Sequence, residues 1–70
     1  MSADEMLINE EFQIYDYIRY ICCWHNYLKL FIRFDKKMHT VSVEGIDKDN
    51  YTITLFLDAA IKQKCKELGW

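Results

Sequence analysis

Phe12-Gln13-Ile14-Tyr15-Asp16-Tyr17-Ile18-Arg19-Tyr20-Ile21-Cys22-Cys23-Trp24 is the stretch whose reading decides the fold. Its polar residues Gln13, Asp16 and Arg19 recur every three positions, a helical interval. Leu7, Ile14, Ile18, Ile21, Cys22 and His25 then fall on one face. The competing reading is a strand, because Ile14, Tyr15, Tyr17, Ile18, Tyr20 and Ile21 are strong β-formers. Two-residue alternation fails across Ile14-Tyr15 and Tyr17-Ile18, so the periodicity predicts a helix. Two residues break its pattern. Glu11 sits in the apolar stripe and Phe12 on the polar side, which implies a bend or restart between Asn9 and Phe12. Upstream, Ser2 and Glu5 match a capping box, in which the hydroxyl accepts a free amide and the carboxylate reaches back.

Downstream the alternation is clean. Leu28, Leu30, Ile32 and Phe34 share one face of a strand, with Tyr27, Lys29, Phe31 and Arg33 on the other. Asp35-Lys36-Lys37 makes a turn, after which Val41 and Val43 point inward while Thr40, Ser42 and Glu44 point outward. Gly45 to Asn50 is a polar turn, and Tyr51, Ile53, Leu55 and Leu57 form the inner face of a third strand. Short links make this an antiparallel meander. Asp58 is placed as the N-cap of a final helix whose buried stripe is Ile61, Cys65 and Leu68. Gly69 fits the left-handed position after that helix, with Trp70 folding back over Cys65. Lys62, Lys64 and Lys66 lie toward the end where the helix dipole favours cations. The predicted fold class is α+β in the order α-β-β-β-α. It is a three-stranded antiparallel sheet with both helices packed on one face, a single domain over residues 1–70.

The chain has 70 residues, 51% of them hydrophobic and 16% aromatic, with no proline. That length leaves no room for a dinucleotide-binding fold or a barrel enzyme. Nine Lys and Arg against eleven Asp and Glu give a net charge of −2, the wrong balance for a general nucleic-acid coat. The acidic start Met1-Ser2-Ala3-Asp4-Glu5 lacks the order of a signal peptide. The apolar stretch from Phe12 to Phe34 is interrupted by Asp16, Arg19, Lys29 and Arg33, so no membrane span is expected. Three cysteines, two of them adjacent, do not make a disulfide framework and fit a reducing compartment. The expected location is the cytoplasm. Phe, Tyr, Met, Ile, Asn and Lys far outnumber Gly, Ala, Arg and Pro, a bias toward AT-rich codons shared by phages, mobile elements and low-GC bacteria.

Cys22, Cys23, His25, His39 and Cys65 include every ligand type a zinc site uses, but not at the spacing of structural zinc motifs. No third residue orients a Cys–His pair for nucleophilic work. With Gly45 and Gly69 the only glycines, no loop cradles a phosphate. Asp47-Lys48-Asp49-Asn50, with Asp58 twelfth from Asp47, is similar to a calcium loop. Thr52 replaces its turn glycine, however, and Tyr51 replaces a chelating side chain, so a solvated turn is the reading. Neither enzyme activity nor a cofactor nor a metal is expected.

Surfaces carry the functional expectation. Tyr27, Phe31 and Phe56 should point to the outer face of the sheet beside Lys29, Arg33, Thr52 and Thr54. The less buried side of the first helix should carry Phe12, Tyr17, Tyr20 and Trp24. Exposed aromatics beside Arg mark contact surfaces. The expected function is a small acidic protein-binding module of phage or mobile-element origin, an anti-defence inhibitor that binds and blocks a host protein. Its partner-binding residues would be Tyr27, Lys29, Phe31, Arg33, Phe56, Tyr17, Tyr20 and Trp24. Asp4, Glu5, Glu10, Glu11 and Asp16 would steer it toward a basic groove.

Two alternatives stand beside it. One is a nucleic-acid module using Lys36, Lys37, His39, Lys62 and Lys66, together with Lys29 and Arg33. Its element order resembles that of double-stranded RNA-binding domains, with Lys36-Lys37-Met38-His39 in their first inter-strand loop. The last helix departs from that family, since Asp58-Ala59-Ala60-Ile61-Lys62 stands where a basic cluster should meet phosphate. In size, charge and layout the chain is also similar to small acidic phage inhibitors of bacterial defence systems. The other alternative is a homo-oligomeric structural subunit, with the outer sheet face as a homodimer seam.

Overall fold

A computed structural model describes residues 1–45 and 54–70. The elements are α1 (Ala3–Asn9), β1 (Gln13–Asp16), β2 (Tyr20–His25), β3 (Leu30–Asp35), β4 (Thr40–Gly45) and α2 (Leu55–Glu67). The class is α+β, as the sequence predicts. Among the described residues the sheet has four strands rather than three, in the order β1-β2-β3-β4 with every neighbouring pair antiparallel.

The first helix starts as expected. Ser2 accepts from the Glu5 amide and Glu5 accepts from the Ser2 amide, each at 3.2 Å. The Ala3 amide, another donor of the first turn, reaches Glu67 of α2 at 2.9 Å. The helix then stops after two turns. Glu11 turns into the left-handed region at φ 69°. Its amide donates to the Ile8 carbonyl at 2.9 Å, and the Phe12 amide donates to the Leu7 carbonyl at 3.0 Å. This pairing is a Schellman stop, and Phe12 and Leu7 close it with an apolar contact in the core. The irregularity at Glu11 and Phe12 is therefore a helix end, not a bend.

The helix expected from Gln13 onward is instead β1, a turn and β2. Gln13 and Asp16 open and close β1, and Arg19 lies in the turn, so their three-residue spacing comes from strand and turn lengths. Ile21, Cys23 and His25 of β2 are buried, while Tyr20, Cys22 and Trp24 alternate with them at intermediate exposure. Polar bonds bind the β1–β2 turn to the start of the β3–β4 turn. Lys36 Nζ donates to Asp16 Oδ1 at 2.6 Å and to the Tyr17 carbonyl at 2.7 Å. The Lys36 amide donates to the Arg19 carbonyl at 2.8 Å, and Arg19 meets Asp35 at 3.4 Å.

Leu30, Ile32 and Phe34 form the inner face of β3 as predicted, but Tyr27, Leu28 and Lys29 belong to the preceding turn rather than to a strand. Of the expected third strand, Tyr51 and Ile53 lie outside the described residues, as do the calcium-like Asp47–Asn50 segment and Thr52. Leu55 and Leu57 are in α2, which begins one turn earlier than predicted. Thr54, not Asp58, is its N-cap, with Oγ1 accepting from the Leu57 amide at 3.0 Å. Asp58 instead pairs with Lys62 at 2.9 Å. The far end follows the sequence reading. Gly69 has φ 80°, its amide donates to the Lys66 carbonyl, and the Trp70 amide donates to the Cys65 carbonyl at 3.0 Å.

The core gathers Leu7 and Phe12, Leu57 and Ala60 of α2, Ile21 and Cys23, and Leu30, Ile32 and Phe34. Both helices thus cover the same face of the sheet. Phe34, Leu7 and Ile32 are fully enclosed, and burying each stabilises the fold by about 1.5–3 kcal/mol. The Lys64–Asp4 pair at 2.8 Å ties α2 to α1 beside this core. Among the described residues no helix is long and apolar enough to cross a membrane.

Candidate interaction face

The register places three cross-strand rows on the side of the sheet away from the helices. Gln13, Trp24, Phe31 and Glu44 form one, Tyr15, Cys22, Arg33 and Ser42 the next, and Tyr20, Asp35 and Thr40 the third. The centre of this face is aromatic and cationic. Trp24 and Phe31 are cross-strand partners with ring centroids 6.4 Å apart and planes tilted by 52°. The guanidinium groups of Arg19 and Arg33 each lie 5.2 Å from the Tyr20 ring centroid, in cation–π range. Tyr20, Trp24 and Phe31 are half-buried, whereas Arg33 is exposed.

Asp35 fixes one edge of the face. Burial pushes its carboxyl pKa up, but the Met38 and Lys37 amides and the Arg19 guanidinium outweigh that and hold it below the usual carboxylate value. The amides donate to Oδ1 at 3.1 and 2.9 Å, which ties the β3–β4 turn to the end of β3.

Four of the eight residues expected to bind a partner are brought together here: Tyr20, Trp24, Phe31 and Arg33. The first two arrive on a strand rather than on a helix face. Tyr27 and Lys29 sit in the β2–β3 turn at one end of the sheet, and Tyr17 sits in the β1–β2 turn at the other. Phe56 lies in the first turn of α2, part of the helical layer, so it is not an outer-face residue, and Thr54 is a helix cap. Phe12 is core. Tyr15 and Cys22 belong to the face and were missed. The signal for them was the β-propensity of the same stretch, which a strand reading would have turned into outward positions.

The residues of the nucleic-acid alternative are mostly engaged within the chain. Lys36 holds Asp16, Lys62 holds Asp58, and His39 stacks on Trp70 with centroids 5.0 Å apart and planes 9° apart. Lys37 and Lys66 are exposed. The acidic set is divided in the same way. Asp4 holds Lys64, and Asp16 is held below the usual carboxylate value by its bond from Lys36. Glu5 is held low by the Ser2 backbone and side chain, while Glu10 and Glu11 face solvent.

All three cysteines are free thiols. Cys23 on the inner face is pushed up to about 12 by burial, and Cys65 on α2 is raised for the same reason. Among the described residues, no three His, Cys, Asp or Glu side chains gather as a metal site would require. Comparison with protein-family models, with curated proteins and with solved structures gives no match to this chain.

Proposed function

We propose that the chain is a protein-binding module that acts by contact rather than by chemistry and docks through the outer face of its sheet. The observation that carries this reading is the placement of Tyr20, Trp24, Phe31 and Arg33 on the two central strands, opposite both helices. Trp, Tyr and Arg are the residue types that concentrate binding energy at protein interfaces. Here Trp24 and Phe31 already brace each other, and Arg33 is laid over Tyr20, so docking orders few side chains anew. Arg33 keeps hydrogen-bond donors for a carboxylate or carbonyl on the partner.

In its most specific form the proposal is an inhibitor of phage or mobile-element origin that covers a site on a host defence protein. The small size, the acidic balance and the AT-rich residue usage support that form. Glu10 and Glu11 are the exposed carboxylates of α1's end that remain for steering toward a basic groove.

The test uses the whole chain as immobilised bait on lysate from its source cells, beside Phe31→Ser and Arg33→Glu baits. A stoichiometric protein retained by the parent and lost from both variants, with unchanged circular dichroism, supports the face. A protein held equally by all three baits removes the face from the proposal. Light scattering of the isolated chain at twice the monomer mass, lost in Phe31→Ser, would make a second copy the occupant. A shifted nucleic-acid band that weakens steeply with salt would favour the nucleic-acid alternative instead.

A further inference from the structure

A cleft of about 420 Å³, separate from the outer face, is lined by Glu11, His25, Asn26, Tyr27 and Lys29. It brings the left-handed end of α1 to the β2–β3 turn. His25 is its most constrained group, at 6% exposure. The Phe12 ring packs edge-on against the imidazole, with centroids 5.1 Å apart and planes at 76°. The Leu28 amide donates to His25 Nδ1 at 3.0 Å. With Nδ1 an acceptor, the proton of the neutral ring is on Nε2. Nε2 has no hydrogen-bond partner among the described residues, and no enclosed side-chain nitrogen or oxygen among them lacks one. Nε2–H is therefore a donor on a residue that lines the cleft.

The other groups sort by chemistry. Lys29 Nζ donates to Asn26 Oδ1 at 3.2 Å, which leaves the Asn26 amide nitrogen as a donor and the ammonium with two further protons. Glu11 brings a carboxylate to the opposite chemistry. Both charged residues have backbone in the left-handed region, Glu11 at φ 69° and Lys29 at φ 55°. Three donors and one anionic acceptor around one cleft match a molecule that carries both a carboxylate and an amine. We propose that the cleft binds a small zwitterion of the amino-acid class. Its carboxylate is taken by His25 Nε2–H, Asn26 and Lys29, and its ammonium by Glu11.

The test is a nitrogen-15 NMR titration of the full chain with glycine and with L-glutamine, using acetate and methylammonium as half-ligands. Lys29→Gly and Glu11→Gly are the informative variants, because glycine adopts those backbone angles without strain and the fold is kept. The expected result is a saturable shift of the His25 imidazole and Asn26 signals with either amino acid, weakened about tenfold by each variant. Acetate should be weakened by Lys29→Gly alone, and methylammonium by Glu11→Gly alone. No saturable shift in the parent chain, or equal affinity in parent and both variants, overturns the proposal. Phe31→Ser should leave the titration unchanged, so failure here and failure of the outer-face reading are separate results.

Discussion

The two faces of the sheet are cut from the same strands, and adjacent residues go to opposite fates. On the inner face Cys23, Ile32 and Phe34 have no measurable exposure and lie under Leu7, Leu57 and Ala60. On the outer face their neighbours Cys22, Phe31 and Asp35 are half-buried, with Arg33 exposed among them. The inner side chains are largely aliphatic and filled by packing. The outer ones include the aromatic rings of Tyr20, Trp24 and Phe31 and the cation of Arg33. Both faces carry apolar side chains, but among the described residues only the inner one is covered by the helices. That difference separates stability from recognition in a domain with little core to spare.

Removing a ring from each face breaks the comparison most directly. Phe34→Ala should cost about 3–5 kcal/mol in urea denaturation, the loss for an enclosed ring that leaves a cavity. Cys23 and Cys22 give the next contrast. Burial pushes the Cys23 thiol from 9.0 up to about 12, which leaves little thiolate. Iodoacetamide followed by mass spectrometry should label Cys22 in the native chain, with the enclosed Cys23 labelled only once urea opens the fold. Phe31→Ala, on the outer face, should cost about 1 kcal/mol, the scale of one aromatic pair. Equal losses for Phe31→Ala and Phe34→Ala would mean that the outer face is structural after all.

The smallest effect is acid sensitivity. Asp35 of the outer face and Glu67 of the helical layer both have lowered carboxyl values, Glu67 chiefly through its bond from Gln63 and then from the Ala3 amide. A folded value below the unfolded one adds stability above the unfolded pKa of about 4, and that stability is lost as pH falls through the folded value. Melting followed from pH 6 down to about 2 should therefore fall, with a shallower slope in Asp35→Asn and in Glu67→Gln. If only Glu67→Gln flattens the curve, the bonds to Asp35 do not contribute.

The two helix ends show what was legible. Gly69 and Glu11 occupy the same position in the same Schellman hydrogen-bond pattern. The glycine end could be read because Gly is the residue that adopts that backbone freely. The Glu end could not, since nothing in a glutamate announces a left-handed turn, although the displaced Phe12 marked the place. The capping box at Ser2 and the inward faces of β3 and β4 were equally legible, because each rests on local chemistry or on a clean two-residue period. Thr54 and Asp58 are both good caps, and only the bond from the Leu57 amide to Thr54 chose between them.

The stretch from Phe12 to Trp24 failed for a different reason. A strand with one polar face shows alternation, but here the outer face carries Tyr15, Tyr20 and Trp24 and the inner face Ile14, Ile21 and Cys23, so apolar residues run on without a period. The sequence by itself determined a small α+β chain with an aromatic surplus, the inward stripe of β3, and the start of α1 and end of α2. Only tertiary structure decided that much of the surplus lies on two strands, β1 and β2, where the periodicity predicted a helix. There, Tyr20 and Trp24 come into line with Phe31 and Arg33 across the β2–β3 pairing. The physical reason is that propensity and period act within a few residues. The choice between helix and strand was made by long-range pairing with β3 and by the core that Leu7, Leu57 and Ala60 close over it.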